Sequence, residues 1–121
     1  MSDRSLVVKV TCGAEAAERC NQGFTVAATA VAAGVRVSLW LTGDATWTAV
    51  TGREPDLDLP FATPLSELLD LVLAEGTVTV CGQCAARRSI TEPDLRPGVR
   101  IAGSVVFVEE CLAPAAQALV Y

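Results

Sequence analysis

The sequence contains no histidine. Imidazole general-base chemistry and Ser-His-Asp or Cys-His arrangements are therefore excluded within this chain. Basic residues are also scarce: nine Lys and Arg stand against fourteen Asp and Glu, for a formal net charge of −5. A general nucleic-acid binder needs a basic stripe to displace counterions, so no nucleic-acid partner is expected. The same balance disfavours anionic membrane surfaces. Long apolar runs are missing too. The longest uncharged stretch, residues 20–35, has 16 residues and includes Asn21, Gln22, Gly23, Thr25 and Thr29. A bilayer span takes roughly 18–20 mostly apolar residues, so none is expected here. No secretory leader pattern is visible before the first apolar run. The five cysteines are an odd number, which with no such leader points to a reducing cytoplasm rather than a disulfide framework.

What is present suits a packed core. Of 121 residues, 51% are apolar and 19% charged, which fits one domain over residues 1–121 and excludes intrinsic disorder. Strand and helix patterns alternate. Residues 6–10 and 35–41 read as strands one and two. Between them Cys20, Phe24, Ala27, Ala28 and Val31 form a helical stripe, with Gly34 where a helix-ending glycine belongs. A short helix is expected over residues 45–50, capped by Asp44. Residues 51–62, with Gly52, Pro55, Pro60 and three acids, read as a surface loop. Thr63-Pro64 has the pattern of an N-cap and first helical residue, ahead of Leu65, Leu68, Leu69, Val72 and Leu73. Strand three follows at 77–80, then a short helical stretch to about 89, a turn-rich segment at 92–98 and strand four at 99–102. Ser104 is expected to cap a helix that turns Val105, Val108, Cys111 and Leu112 inward, and residues 118–120 make a last strand. Five short apolar strands alternating with helices imply a parallel sheet covered on both faces, a three-layer α/β/α fold of flavodoxin-like type.

In such sheets ligands sit beyond the carboxyl ends of the strands. Cys12-Gly13 follows strand one, Asp44 follows strand two and Cys81 follows strand three. Cys81 is the sharpest candidate. At a strand-to-helix junction, free backbone N–H groups stabilise an anion. A thiol there drops from about 8.5 into the range of roughly 3.5–7.5, and the thiolate is the attacking species. Gly82 allows close approach of a bound group, and Arg87 and Arg88 lie within reach to favour negative charge. Cys84 completes a C-x-x-C, which is open to three readings: a redox pair, half of a zinc site, or a nucleophile with an incidental neighbour. A structural zinc site needs four thiolate or imidazole ligands, and neither histidine nor a second C-x-x-C is present, so no metal is expected. Thr11-Cys12-Gly13 matches no phosphate-binding fingerprint, so no nucleotide cofactor is expected either. Cys20 and Cys111 fall on apolar stripes and read as core. Cys81 and Cys84 are thus the catalytic candidates, with Cys12, Gly13, Asp44, Gly82 and Arg87 as substrate-binding candidates.

The stretch Val80-Cys-Gly-Gln-Cys-Ala-Ala-Arg-Arg-Ser-Ile90, followed by Thr91-Glu-Pro-Asp-Leu95 and Gly98-Val-Arg-Ile-Ala-Gly103, resembles the DsrE/DsrF-like family of small sulfur-relay proteins and their relatives. The opening Val7-Val-Lys-Val-Thr11, Gly34 and Leu41-Thr-Gly-Asp44 fit as well, so the resemblance spans nearly the whole chain. It implies a parallel five-stranded α/β/α fold and a homotrimer or homohexamer. It also implies a cysteine after strand three that accepts persulfide sulfur, ahead of a paired arginine motif. Cys81 stands at that cysteine and Arg87-Arg88 at the arginines. Residues 51–62 match nothing associated with the relay members. The expectation is a cytoplasmic persulfide carrier, sulfurtransferase-like, that meets a sulfur donor or acceptor protein. Two alternatives stay open: a thiol oxidoreductase or peroxide-reactive protein using Cys81 and Cys84, and a non-catalytic oligomeric module that binds a ligand.

Overall fold

A computed structural model describes residues 3–121. The strands are β1 (Ser5–Val10), β2 (Arg36–Leu41), β3 (Thr77–Cys81), β4 (Arg100–Ala102) and β5 (Ala116–Val120). The helices are α1 (Ala17–Ala32), α2 (Leu65–Glu75), α3 (Gly82–Arg87) and α4 (Ser104–Cys111). All five strands are parallel, in the order β4-β3-β2-β1-β5. The chain therefore steps outward from β1 to β4, then crosses back to add β5 beside β1. The expected parallel α/β fold is the one observed.

Strand alternation sorts the side chains onto two unlike faces. Val8, Val10, Val37, Leu39, Leu41, Val78 and Val80 join one buried cluster with Cys20, Phe24, Ala27, Leu68, Leu69 and Val72 from α1 and α2. Removing this apolar surface from water is the main stabilising contribution to the fold. The intervening positions face α4 instead. There Glu110 accepts hydrogen bonds from Ser38 Oγ (2.6 Å) and Trp40 Nε1 (2.9 Å), and it pairs with Arg100. Phe107 packs edge-on against Trp40 with 5.3 Å between ring centroids, and Lys9 Nζ lies 4.1 Å over the Phe107 ring.

This second face corrects one expectation. Val105, Val108 and Leu112 do not turn inward; Val105 is 74% exposed and Leu112 79%. The sheet presents Lys9, Ser38, Trp40, Thr79 and Arg100 there, so it takes Phe107 and the carboxylate of Glu110 from the helix. The apolar stripe is left outside. Cys111 is accordingly half-buried rather than core, whereas Cys20 is fully buried as expected. One eight-residue helix covers this face, so the two outer layers are unequal.

Smaller departures have local causes. Leu65 is the first residue of α2 and Pro64 its N-cap, one position later than the Thr63-Pro64 pattern implies, and no side chain caps the helix. The short helix after β2 is a 3-10 helix over Gly43–Ala49 whose N-cap is Thr42. Asp44 therefore lies inside its first turn and does not cap it, and Ser104 likewise is the first residue of α4, whose N-cap is Gly103. Residues 51–62 contain no helix or strand, as their composition implies.

Candidate functional site

The loops after β1 and β2 interlock at the carboxyl edge of the sheet. Gly43 has φ +53°, and a Cβ on it would stand 2.4 Å from the Thr11 carbonyl oxygen. A Cβ on Gly13 would meet the Asp44 carbonyl oxygen at 2.8 Å. Only glycine admits both close approaches. This contact fixes the position of residues 43 and 44 over the start of α3.

β3 ends at Cys81, which is also the N-cap of α3. Its backbone is extended (φ −62°, ψ 127°), so the chain turns from strand to helix at that residue. Alternation from Val80, which points into the main core, puts Cys81 on the α4 side of the sheet with Thr79. The Cys81 side chain is partly exposed. Partial burial pushes its thiol up. That is outweighed by the Cys84 backbone N–H, the Cys84 thiol, the Gln83 N–H and the positive charge of Lys9, which together hold its pKa below the ordinary thiol value. No side-chain hydrogen bond caps α3 at Cys81.

The other cysteines differ. Burial raises the thiol of Cys20 to about 12. Burial also raises Cys12, whose Sγ approaches the Ala16 carbonyl oxygen at 3.8 Å. Cys111 is raised as well, by burial and by the nearby Glu110 carboxylate. Among these thiols, Cys81 has the thiolate character a sulfur nucleophile needs.

Cys84 is buried, and its Sγ accepts a hydrogen bond from the Gly43 N–H at 3.2 Å. Arg88 donates to the Cys84 carbonyl oxygen (3.1 Å) and to Asp44 Oδ1 through Nε (3.2 Å) and a terminal nitrogen (2.8 Å). Thus Asp44, Arg88, Gly43 and Cys84 form one connected cluster beside Cys81. A match to the DsrE/DsrF-like family model extends over residues 4–117. The chain belongs to the DsrE/DsrF-like family. Two solved structures share the DsrE-like fold. The crystal structure of the ychN protein from E. coli superposes with a TM-score of 0.82 at 19% identity, covering 98% of this chain and 99% of that one. The protein of unknown function MTH1491 from Methanobacterium thermoautotrophicum gives a TM-score of 0.69 at 11% identity, covering 98% and 100%. No curated protein matches the sequence.

Within this DsrE/DsrF-like domain, the candidates named from sequence are distributed as follows. Cys81, Gly82 and Cys84 share one strand-to-helix turn, and Asp44 reaches it through Arg88. Gly13 packs on the Asp44 backbone. Cys12 is buried in the core beneath that loop. Arg87 is exposed on the last turn of α3. Three contributors lie outside the substrate-binding candidates, although the sequence pairs Arg88 with Arg87 as a source of positive charge. Arg88 rather than its neighbour contacts Asp44 and Cys84. Gly43 supplies an N–H. Lys9 is the cation whose field reaches Cys81, and nothing local in the sequence joins residues 72 positions apart. The shared parity of Lys9 and Cys81 on the α4 face becomes visible only once the strand order is known.

A cleft of about 440 Å³ opens beside this cluster, bordered by Trp47, Arg53, Arg88 and Ser89. Arg53 lies 4.5 Å over the Trp47 ring. A larger hollow of about 550 Å³ is framed by Asn21 and residues 54–66 and contains none of the cysteines. Among the described residues no group of three or more His, Cys, Asp or Glu side chains is placed to hold a metal ion. No described helix is long and apolar enough to cross a membrane.

Proposed function

We propose that this protein carries sulfane sulfur as a persulfide on Cys81. The observation that supports it is the contrast among the thiols: Cys81 is the partly exposed one whose pKa is lowered, while Cys12, Cys20 and Cys111 are raised. Family membership agrees with a sulfur-relay role. The Cys81 thiolate attacks the outer sulfur of a donor persulfide, R–S–SH. The donor's S–S bond breaks, R–S⁻ leaves as the donor thiolate, and Cys81 retains the outer sulfur as Cys81–S–SH. An acceptor thiolate then attacks that terminal sulfur and restores the Cys81 thiolate. No net oxidant is consumed. The donor and acceptor are thiol-bearing proteins or small thiols, and the setting is a reducing cytoplasm, in keeping with five cysteines that are all free.

Anaerobic incubation with a small persulfide donor tests the reading. Intact mass is expected to rise by about 32 Da, one sulfur atom, in a form that reductant removes. The adduct should map to Cys81 and vanish in Cys81→Ser. A wild-type protein that gains no such mass overturns it. The adjacency of Cys84 favours a second reading, a thiol oxidoreductase cycling a Cys81–Cys84 disulfide. That reading requires an oxidised acceptor to take two electrons and two protons, seen as a reductant-sensitive loss of two hydrogen atoms from the intact mass with no added sulfur.

The assembly we propose is a homotrimer or homohexamer. Val105 and Val108 of α4, Leu112 just after it and Val120 of β5 are exposed apolar side chains on the thinly covered side of the sheet. A contact between copies typically covers about 800 Å² on each partner, and an exposed apolar helix face suits a second copy of the same chain. Light scattering should give a multiple of 12.6 kDa, reduced by Leu112→Glu with the helix content unchanged. A wild-type mass of one chain overturns the assembly.

A further inference from the structure

Residues 49–51 and 94–96 are stitched together through the backbone. Val50 and Leu95 form an antiparallel bridge. The Thr51 N–H donates to the Asp94 carbonyl oxygen (3.0 Å), and the Arg96 N–H donates to the Ala49 carbonyl oxygen (2.9 Å). These contacts fix the walls of the cleft of about 440 Å³, to which one segment contributes Trp47, Thr51 and Arg53 and the other Ser89 and Asp94. Small-molecule sites typically measure roughly 300–1,000 Å³.

A turn folds Arg53 back over this cleft. Its N–H donates to the Val50 carbonyl oxygen (3.0 Å), and Gly52 between them takes φ +78°, the left-handed third residue of such a turn. The guanidinium then rests 4.5 Å over the Trp47 ring, and Trp47 is itself packed against the main core. A guanidinium stacked by its face keeps its edge N–H groups for a planar acceptor. The acids that border the cleft and the adjoining hollow are committed elsewhere. Asp44 pairs with Arg88, and Glu15 Oε1 accepts the Gly13 N–H (2.7 Å). Asp94 accepts the Thr91 N–H (2.8 Å) and the Thr91 hydroxyl (3.0 Å), both at Oδ2. Among the described residues Arg53 has no ion pair, and none donates to Asp94 Oδ1. The cleft thus holds one unspent cation and one carboxylate with an oxygen to spare. Asp94 opposes a plain anion and Arg53 a plain cation, whereas a zwitterion answers both.

We propose that this cleft binds a small molecule with an α-amino-acid head group, its carboxylate on Arg53 and its ammonium on Asp94 Oδ1. Free amino acids and γ-glutamyl peptides share that head group. Neither Cys81 nor Cys84 borders the cleft, so the site is separate from the persulfide reading and does not depend on it.

The test is an NMR titration of isotope-labelled protein that follows the Trp47 indole N–H, with the buried Trp40 as the internal reference. The probes are S-methylcysteine and S-methylglutathione, which carry the head group and cannot exchange sulfur. At least one should give a saturable shift at Trp47 and none at Trp40, and the tighter of the two identifies the source. N-acetyl-S-methylcysteine lacks the ammonium and S-methylcysteamine the carboxylate; each should bind about tenfold or more weakly than S-methylcysteine, the loss expected for a hydrogen bond between charged groups. Arg53→Ala and Asp94→Asn should each weaken the better probe by about tenfold or more. Both side chains are exposed, and asparagine keeps an acceptor for Thr91, so both variants retain the fold. No saturable shift with either probe overturns the proposal. So does an acetylated probe that binds as tightly as its parent, which would mark a plain anion site, or an unchanged affinity in either variant.

Discussion

Arg88 binds Asp44 Oδ1 at 3.2 and 2.8 Å with one edge of its guanidinium, while its other terminal nitrogen holds the Cys84 carbonyl oxygen at 3.1 Å. The loop after β2 and the helix that starts at Cys81 are joined by this one side chain. The planar fork of an arginine allows both contacts at once, which an ammonium group does not match.

Removing either partner should therefore cost unequal amounts. The Asp44 side chain is 48% exposed, so solvent screens the pair, and Asp44→Asn is expected to lose only about 0.5–1 kcal/mol. Arg88→Ala also strips the Cys84 carbonyl of its donor and should lose about 1–2 kcal/mol. Urea unfolding of both variants measures the difference. Equal losses would show that the Cys84 contact contributes nothing.

Ser89 ends α3 in the left-handed region, at φ 55°, with the Ile90 N–H returning to the Ala85 carbonyl oxygen at 2.9 Å. Glycine is the usual residue at this position because it has no Cβ to strain. Ser89→Gly should stabilise the protein by about 0.5–1 kcal/mol. A melting temperature that fails to rise would mean that the serine hydroxyl offsets its backbone strain.

The buried thiol of Cys20 makes stability fall on the alkaline side. Its folded pKa is about 12 against an ordinary 9.0, with burial as the main cause. Above pH 9 the unfolded chain loses the proton while the folded chain keeps it. The folded state is then penalised by up to about 1.4 kcal/mol per pH unit until the folded pKa is reached. Between pH 8 and pH 10 this one group should remove about 1.4 kcal/mol, and Cys20→Ala should flatten that limb. Parallel alkaline limbs in the two proteins would sink the prediction.

Glu110 works in the opposite sense. Burial raises its carboxyl, but hydrogen bonds from Ser38, Trp40 and Arg100 outweigh this and leave it below the usual carboxylate range. Its contribution is fully present above the unfolded pKa and is lost as pH falls through the folded value. Glu110→Gln keeps the shape but turns an amide donor toward groups that donate, and should cost about 1–3 kcal/mol at neutral pH. Urea titrations at pH 7 and pH 3 should differ less in the variant than in wild type; an equal difference would remove Glu110 from the acid transition.

Sequence and structure agree most where periodicity is strong. The stripe from Cys20 through Val31 is the buried face of α1, and the runs around Val8, Leu39 and Val78 are the strands against it. The C-x-x-C lies at a strand-to-helix junction as its sequence implies, because a strand end and a helix start can be read locally. The α4 stripe misled for a definite reason. An apolar face buries itself only if the sheet opposite is apolar, and here the sheet offered Lys9, Ser38 and Arg100.

The linear sequence alone determined the parallel α/β architecture, the turn that holds Cys81 and the absence of imidazole chemistry, since each follows from residue type and spacing along the chain. Only the tertiary structure decided that Lys9 acts on Cys81, that Arg88 rather than Arg87 contacts Asp44, and that Gly43 holds the Cys84 sulfur. Those relations join residues from different strands. Strand order and side-chain parity bring them together, and neither property resides in any one segment.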